Sequence, residues 1–314
     1  MLKIYYWANN VKSNSGEGIL ALNFLSLLKT KYKNYTFTNL NNFVQRESFF
    51  YNYILPIFGV LKLWIYHMKG NKVCYINYLP IWNFLIFLAL PKKTILGPIT
   101  GINLKKNILY IILKNIGIFI LQKKNNKILF SHSQFKKYFK NKKKYFYNFI
   151  LYNFCFRKIK KKKFDYVIYF KKNKNKGNNF LINIITRLSE KFKIAVIGDE
   201  FPKYLKNKNI FNFINLNRSK ALSIISQSKN SILSKENSLS FFAVDCISCN
   251  LNIFHNIEDR LDNTIKTNLY IPIKFNNLDY SLKILTKKKF LKKSTKYFKF
   301  NKQNYLDYLE KKIN

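Results

Sequence analysis

The chain has 314 residues, a length that fits two domains of ordinary size better than one. Hydrophobic residues make up 48% of it, so the composition excludes a disordered chain despite the many lysines and asparagines. Its 57 basic and 14 acidic residues give a formal net charge of +43, which favours anionic partners such as nucleic acid or an anionic membrane.

The first half of the chain alternates short apolar runs with helical patterns, which is typical of a parallel sheet covered by helices. The predicted strands are Leu2–Trp7, Val73–Asn77, Thr94–Gly97 and Lys127–Ser131. Helices are predicted at Leu79–Leu90 and Ile108–Leu121, and a third starts near Gln134. A further helix follows the loop Asn9–Gly18 and places its apolar residues on one face, namely Leu20, Phe24, Leu27 and Leu28.

Basic residues bracket an aromatic stretch between Lys136 and Lys163, and the alternation of strands and helices restarts after it. We therefore predict one domain over residues 1–150 and a second over residues 151–314. The predicted strands of the second domain are Phe164–Phe170, Lys193–Gly198, Ser231–Ser234, Leu251–His255 and Asn268–Ile273. Its predicted helices are Asn178–Glu190, Ser219–Ser228, a segment from Leu239 to Ile247, and a basic tail from about Tyr280.

Three apolar stretches of the first domain raise the question of membrane spans: Tyr53–Tyr66, Leu79–Pro91 and Ile108–Leu121. Each is shorter than the roughly 20 apolar residues that a spanning helix needs, so no transmembrane helix is predicted. Helices of the core and helices lying in a membrane interface both remain open. Ile108–Leu121 is apolar nearly all round, which predicts that it is buried or lies at a membrane.

The start of the chain runs directly into a strand pattern without a secretory signal, so we expect a cytosolic, reducing compartment. Cys246 and Cys249 form a C-x-x-C pair. Because no second pair accompanies them and their helix is strongly apolar, packing is favoured over a zinc site or a redox function.

The first candidate site is the loop that contains Gly16, Glu17 and Gly18. Two glycines between a strand and a helix let the backbone approach a ligand, and the helix N-terminus offers N–H groups to an anion. A plain strand–helix turn is the alternative.

The second candidate runs from Tyr169 to Gly177 and contains Lys171, Lys172 and Lys176. It lies between a predicted strand and helix, at the sheet edge where α/β proteins bind ligands. Lysines there would neutralise a diphosphate leaving group, although any one lysine of this chain could equally face solvent.

The third candidate runs from Ser234 to Asn250. It contains Glu236 at the end of a predicted strand and Asp245 about two turns into the next helix. Acidic residues are scarce here, so two in one motif carry weight: the first would contact sugar hydroxyls and the second ribose hydroxyls. The alternative is a solvated acid followed by a partly buried acid paired with lysine.

Taken together, these motifs resemble the retaining GT-B glycosyltransferases, the large family of glycogen-synthase-like and lipopolysaccharide-sugar transferases. The matching features are the glycine loop after the first strand, a basic residue followed by Lys176-Gly177, and an acid pair followed by a small-residue helix. Ser131–Phe135 resembles the segment that closes the family's first domain, and Ile197-Gly198-Asp199 resembles a strand that ends in glycine. The resemblance spans residues 1 to about 260.

The resemblance implies two Rossmann-like domains facing each other across a cleft, with an acceptor-binding domain followed by a nucleotide-sugar-binding domain. It implies the catalytic residues Lys172, Lys176 and Glu236. It also implies that the donor is bound by Gly16, Gly18, Lys171, Gly177, Asn237, Ser238 and Asp245. Neither a cofactor nor a metal ion is expected, since side chains and helix ends supply the positive charge.

The chain departs from the family pattern at several positions. Glu236 and Asp245 are nine residues apart, where the family has two glutamates eight apart, and lysine replaces the arginine of the diphosphate pair. Asn77 stands about where many members carry a histidine.

The sequence therefore predicts a transferase that moves a sugar from a nucleotide-sugar donor to a glycan or lipid-linked acceptor, with retention, in polysaccharide or lipopolysaccharide synthesis. The expected location is the cytoplasmic face of an anionic membrane, with no nucleic-acid partner. A genome rich in AT codons is the competing explanation of the lysine content. The alternative functions are a nucleic-acid-binding protein, for which Tyr145–Lys163 would supply interleaved basic and aromatic residues, and an inactive membrane-surface scaffold.

Overall fold

The computed structural model of the protein describes fourteen stretches of the chain. They are residues 2–12, 16–43, 54–76, 79–100, 108–124, 128–130, 135, 138–139, 145–146, 161–172, 177–235, 240–259, 261 and 269–287. The chain forms two compact units, and the described residues of the first lie between 2 and 146 and those of the second between 161 and 287.

Among its described residues, the first unit has six short parallel strands and four helices. In chain order they are β1 (Leu2–Ala8), α1 (Gly16–Lys31), β2 (Tyr35–Asn39), α2 (Leu55–Met68), β3 (Lys72–Ile76), α3 (Phe84–Ala89), β4 (Ile95–Leu96), α4 (Ile108–Lys124), β5 (Ile128–Leu129) and β6 (Tyr145–Phe146). Four strands form a sheet in the order β2-β1-β3-β4, and β5 pairs with β6. All of these pairings are parallel.

Trp7 lies at the centre of the first unit's core and is fully buried. Its indole ring packs directly on Gly59 of α2, where a β-carbon would come within 2.5 Å of the ring. Glycine at this position therefore lets α2 approach the sheet closely, and the large aromatic side chain fills the space between them.

The described part of the second unit has six parallel strands and four α-helices. They are β7 (Phe164–Phe170), α5 (Asn178–Leu188), β8 (Ile194–Gly198), β9 (Ile210–Ile214), α6 (Arg218–Ser226), β10 (Ser228–Ile232), α7 (Phe241–Ser248), β11 (Asn252–Asn256), β12 (Tyr270–Ile273) and α8 (Leu278–Leu285). The strands form one sheet in the order β12-β11-β10-β7-β8-β9. The predicted inner face of α5 is confirmed, since its five residues are buried: Phe180, Leu181, Ile184, Ile185 and Leu188.

Each sheet contains a point at which the strand order reverses. In the second unit the chain runs outwards from β7 to β8 and β9, and then crosses back to place β10 on the other side of β7. In the first unit the chain runs from β1 to β2 and then crosses back to place β3 on the other side of β1. In open parallel sheets, such reversals leave a crevice at the carboxyl ends of the two strands, and ligands bind there.

The predicted α/β class with two parallel sheets is confirmed. Several predicted elements differ in extent. The helix predicted over Leu79–Leu90 is reduced to α3, because Pro80 lies opposite Thr100 in an isolated parallel bridge and so begins the segment as extended chain. The strand predicted at Ser231–Ser234 begins earlier, at Ser228, and the preceding helix ends at Ser226.

The helix α4 is not buried all round. Gly117, Ile118 and Leu121 face the core, whereas Ile108, Leu109 and Phe119 are exposed. Within the described stretches, no helix is both long and apolar enough to cross a membrane.

Candidate functional site

The carboxyl ends of β7 and β10 bring together two of the three candidate segments. Lys171 and Lys172 follow β7 directly, and Gly177 precedes α5. Lys235 follows β10 by three residues. Lys176, Glu236, Asn237 and Ser238 belong to the same two connections but lie outside the described residues.

Asp199 connects the end of β8 to the lysines that follow β7. Lys171 Nζ lies 3.3 Å from Asp199 Oδ1, and the Lys172 backbone N–H donates to Asp199 Oδ2 at 2.8 Å. The Lys172 side chain is exposed. Asp199 therefore orients the start of the lysine-rich connection at the crevice and pairs with one of its two described lysines.

Gly198 makes this arrangement possible. Its φ is +121°, a region that favours glycine, and a β-carbon there would lie 2.3 Å from the Phe170 carbonyl oxygen. The Asp199 N–H donates to that same carbonyl at 2.9 Å. The predicted strand ending in glycine is thus the feature that turns Asp199 towards β7.

The N-terminus of α5 opens into a pocket of about 290 Å³. Gly177 is the N-cap residue, has a left-handed backbone conformation (φ 74°, ψ 35°) and provides no side-chain cap. A β-carbon on Gly177 would lie 2.9 Å from the Phe275 ring. No side chain of the N-cap residue therefore caps the first N–H groups of α5, and helix N-termini of this kind attract anions.

The pocket carries both signs of charge. Its lining residues are Gly177, Asn178, Asn179, Phe180, Lys235, Glu258, Phe275 and Asn276. Phe180 and Phe275 stack with ring centroids 4.1 Å apart and form an apolar wall. The side-chain oxygen of Asn178 is buried and accepts no hydrogen bond from any described residue. A cation and a carboxylate around one cavity suit a ligand that carries both phosphate and hydroxyl groups.

Asp245 lies on the second turn of α7 and is paired with an arginine. Arg218 Nη2 lies 2.7 Å from Asp245 Oδ1, and Arg218 Nε lies 3.4 Å from Oδ2. The side chains are 20% and 7% exposed, respectively, so the pair is nearly buried. Arg218 also lies over the Phe241 ring, and the bidentate geometry fixes both side chains.

Four residues of this region do not appear among the predicted site residues: Asp199, Arg218, Glu258 and Asn178. Arg218 is one of only five arginines in the chain, and Asp199 and Glu258 are two of its 14 acidic residues. Rarity against a lysine-rich background was a usable signal for these three. Asn178 gave no such signal, because asparagine is abundant in this sequence.

The glycine loop lies in the first unit, at the carboxyl end of β1. Gly16 begins α1, and a β-carbon on Gly18 would lie 1.9 Å from the Lys12 carbonyl oxygen. Glycine is therefore required at position 18 for the loop to pack on α1. The loop follows β1, one of the two strands at the reversal point of the first sheet, so the position is suited to ligand binding.

The C-x-x-C pair is part of the core. Cys246 and Cys249 are buried and form no disulfide, and burial raises the pKa of the Cys246 thiol well above its ordinary value. A thiol in this state is a poor nucleophile and a poor metal ligand. In the part of the chain that the structure describes, no group of three or more His, Cys, Asp or Glu side chains could hold a metal ion.

Solved structures share this fold at very low sequence identity. The chain is similar to the UDP-GlcNAc 2-epimerase of Methanocaldococcus jannaschii, with a TM-score of 0.54, 12% identity and coverage of 99% of this chain and 100% of that one. It is also similar to WaaG, a glycosyltransferase involved in lipopolysaccharide biosynthesis, with a TM-score of 0.53, 11% identity and 90% of each chain covered. An α-glucosyltransferase in complex with UDP and DNA gives a TM-score of 0.50, 10% identity and coverage of 91% and 89%.

No protein-family model and no curated protein matches the sequence. The structural likeness establishes the fold, which is the GT-B fold of two Rossmann-like domains. Because transferases and an epimerase share this fold, the reaction has to be argued from the residues of the site.

Proposed function

We propose that this protein is a glycosyltransferase that takes a sugar from a nucleotide-sugar donor and transfers it, with retention, to a glycan or lipid-linked acceptor. The observation that carries the proposal is the pocket at the strand reversal of the second unit, where the N-terminus of α5, Lys235 and Glu258 converge. In this proposal the second domain, residues 151–314, binds the donor, and the first, residues 1–150, binds the acceptor.

The donor diphosphate would lie against the N-terminus of α5. The uncapped N–H groups after Gly177 and the nearby Lys235 provide positive charge without a metal ion. Lys176 precedes Gly177 directly, and Lys172 begins the same connection, so both would stabilise the charge that develops on the leaving diphosphate. Lys171, paired with Asp199, would contribute to the same field.

The sugar would be held by the acidic and amide groups of the pocket. Glu236 follows Lys235 directly and would orient the sugar hydroxyls, together with Asn237 and Ser238. Glu258, which follows β11 and also lines the pocket, adds a further acceptor for the sugar hydroxyls.

Asp245 would accept from the ribose hydroxyls while Arg218 holds its carboxylate. Arg218 contacts both oxygens of the Asp245 carboxylate, and this two-point contact fixes the orientation of the group. In this arrangement Arg218 is a positioning residue that holds the Asp245 carboxylate in place.

Transfer with retention requires no protein base. The acceptor hydroxyl attacks the anomeric carbon on the face from which the diphosphate leaves, and the departing phosphate oxygen takes the hydroxyl proton. The protein supplies position and positive charge, which are the main contributions to catalysis of such a transfer.

The acceptor side of the proposal is a glycan or lipid-linked intermediate of cell-envelope polysaccharide or lipopolysaccharide synthesis, reached by peripheral binding to the cytoplasmic face of an anionic membrane. The net charge of +43 and the apolar helices of the first unit support this location.

A binding screen tests the donor site directly. Thermal unfolding with UDP, GDP and ADP sugars should show stabilisation by one nucleotide class, as expected for a ligand that binds the folded state only. Lys235→Ala should weaken that shift, whereas Lys191→Ala, which removes an exposed lysine before β8 at the opposite sheet edge, should leave it unchanged. Stabilisation by oligonucleotides with none by any nucleotide sugar would favour the nucleic-acid-binding alternative.

Activity assays test the assigned roles. Lys176→Ala and Glu236→Ala should each remove most of the transfer while the thermal unfolding temperature stays close to that of the wild type. Activity should survive EDTA, because the proposal places side chains and a helix end where other enzymes use a metal. Full activity in both variants would overturn the site assignment, and loss with EDTA that added metal restores would overturn the metal-free mechanism.

A further inference from the structure

The helix α2 presents an apolar stripe to solvent. Its buried residues (Leu55, Pro56, Gly59, Val60 and Leu63) pack on the sheet. The opposite face repeats apolar residues at helical spacing from Ile57 through Leu61 and Trp64 to Met68, and all of these are exposed. A water-facing helix surface is normally polar, so this stripe is the reverse of what the fold alone requires.

Two further helices extend the stripe into a continuous face. α3 contacts both α2 and α4, and the Trp64 indole N–H donates to the Ala89 carbonyl at 2.6 Å. Leu85 and Leu88 of α3 are exposed, and α4 exposes Ile108, Ile112 and Phe119 at helical spacing. We call the outer sides of α2, α3 and α4 the apolar face.

The segment of sequence that contains the three helices carries only positive charge. The sequence from Ser48 to Phe164 contains no aspartate or glutamate, and it includes all three helices. Exposed lysines follow the apolar stripes at the carboxyl ends: Lys69 after α2, Lys92 and Lys93 after α3, and Lys123 on α4. The ends of α3 and α4 lie together, since Lys124 Nζ bonds to the Leu90 carbonyl at 2.7 Å.

An anionic bilayer complements both the apolar side chains and the positive charge of this surface. Acyl chains would cover the apolar side chains, and lipid phosphates would neutralise the lysines at their border. A second copy of the chain would cover the apolar side chains as well, but a symmetric dimer would bring the same lysines together, and each chain carries a charge of +43.

We infer that the apolar face is an in-plane membrane-binding surface, with α2, α3 and α4 lying at the boundary between headgroups and acyl chains of an anionic bilayer. The inference deepens the proposed peripheral location and rests on it, but it does not require the transfer reaction. Binding to vesicles and binding of a nucleotide sugar can therefore fail independently.

Vesicle flotation at low and high salt tests the apolar face. Wild-type protein should bind phosphatidylcholine vesicles that contain phosphatidylglycerol, and a fraction should stay bound at high salt because apolar burial is not screened. Leu61→Asp with Ile112→Asp should weaken binding roughly tenfold or more, since two side chains that would enter the lipid become charged. The matched control is Leu2→Asp with Ile214→Asp, which changes two exposed apolar residues outside the face and should bind as the wild type does.

Quenching of tryptophan fluorescence by lipids brominated on the acyl chain reports depth. Trp64 lies on the apolar face and Trp7 is fully buried in the core, so quenching should occur on binding and should fall in Trp64→Phe. Thermal unfolding of each variant, and its stabilisation by nucleotide sugar, serve as controls for folding and for the donor site. Equal vesicle binding by both double variants, or no quenching of bound wild-type protein, would overturn the inference. A lipid-free dimer that Leu61→Asp with Ile112→Asp dissociates would assign the face to self-association instead.

Discussion

Arg218 and Asp245 form the most buried ion pair among the described residues, and they join the start of α6 to the middle of α7. The two partners stand 27 positions apart in the sequence. Their pairing fixes an acid that the sequence marks as a candidate ligand of ribose. A buried carboxylate has lost its hydration, and without a cationic partner nothing compensates this loss. The effect of Asp245 on stability therefore depends on its pairing with Arg218.

Replacing Arg218 should therefore cost stability. Arg218→Leu leaves the Asp245 carboxylate buried without its guanidinium, and we expect the free energy of unfolding to fall by about 3 kcal/mol. The double variant Arg218→Leu with Asp245→Leu should recover much of this loss, because it removes the buried charge as well. Urea unfolding of wild type, single and double variants measures the difference. A single variant as stable as the wild type would show that solvent reaches Asp245.

His255 gives the second unit a dependence on pH. The residue is buried at the end of β11, its Nδ1 lies 2.9 Å from the Asn256 carbonyl oxygen, and burial lowers its pKa below the ordinary value. The unfolded chain takes up a proton near pH 6.5 and the folded chain resists it. The contribution of His255 to stability is thus complete above about pH 6.5 and is lost as the pH falls from there through the lower pKa of the folded state.

Replacing His255 should flatten this part of the pH profile. In His255→Gln the fall in unfolding temperature between about pH 7 and about pH 5 should be smaller than in the wild type, because the proton uptake of the unfolded histidine is gone. Thermal unfolding at several pH values checks this. His67→Gln, at a half-exposed histidine of α2, is the matched control and should keep the slope of the wild type. Parallel profiles for wild type and His255→Gln would contradict the prediction.

At the level of elements, the end of β8, where Gly198 leads into Asp199, is the part of the site most sensitive to backbone change. Gly198→Ala would place a β-carbon against the Phe170 carbonyl at a φ of +121°. We expect a loss of about 2 kcal/mol in the free energy of unfolding, in the range of strained backbone conformations. Urea unfolding measures this loss. Gly70→Ala provides a comparison, since Gly70 also has a positive φ (75°) but its β-carbon would meet nothing within 4 Å. Equal losses of unfolding free energy in the two variants would show that the contact with the Phe170 carbonyl does not contribute to the loss in Gly198→Ala.

The sequence predicted elements best where one face is apolar and the strand is central. β7 has the predicted bounds, and α5 has the predicted inner face, because both lie in the middle of the second unit and carry unbroken apolar patterns. β2 and β9 were not predicted. Both are edge strands with partly exposed residues, and the sequences Tyr35–Asn39 and Ile210–Ile214 include polar side chains that weaken the strand signal.

The sequence predicted the position of the candidate site in the sheet better than the side-chain contacts within it. A lysine-rich connection after a strand, followed by Gly177, indicated the sheet edge where the pocket lies. The contacts of Asp199 with Lys171 and of Arg218 with Asp245 depend on which strands become neighbours. That order follows from the crossover between β9 and β10, which no local pattern in the sequence encodes.

At the level of the whole molecule, charge repulsion should oppose folding. The chain has 57 basic and only 14 acidic residues, so there are too few carboxylates to pair with most of the basic side chains. The net charge of +43 therefore favours the expanded chain. Salt screens this repulsion over a Debye length of about 10 Å at 0.1 M. We therefore expect the unfolding temperature to rise by several degrees as sodium chloride increases from about 20 mM to about 300 mM, where screening is nearly complete.

Two controls separate general screening from binding of chloride in the donor pocket. Lys235→Ala removes one charge from the pocket lining, so it should show the same rise with salt as the wild type if the effect belongs to the whole molecule. An uncharged solute at equal osmolality should produce no comparable rise, because it does not shorten the Debye length. A rise confined to the wild type would place the effect in the pocket. An unfolding temperature that falls with salt would show that the few attractive pairs outweigh the repulsion, and it would remove the physical argument that +43 charges require an anionic surface nearby.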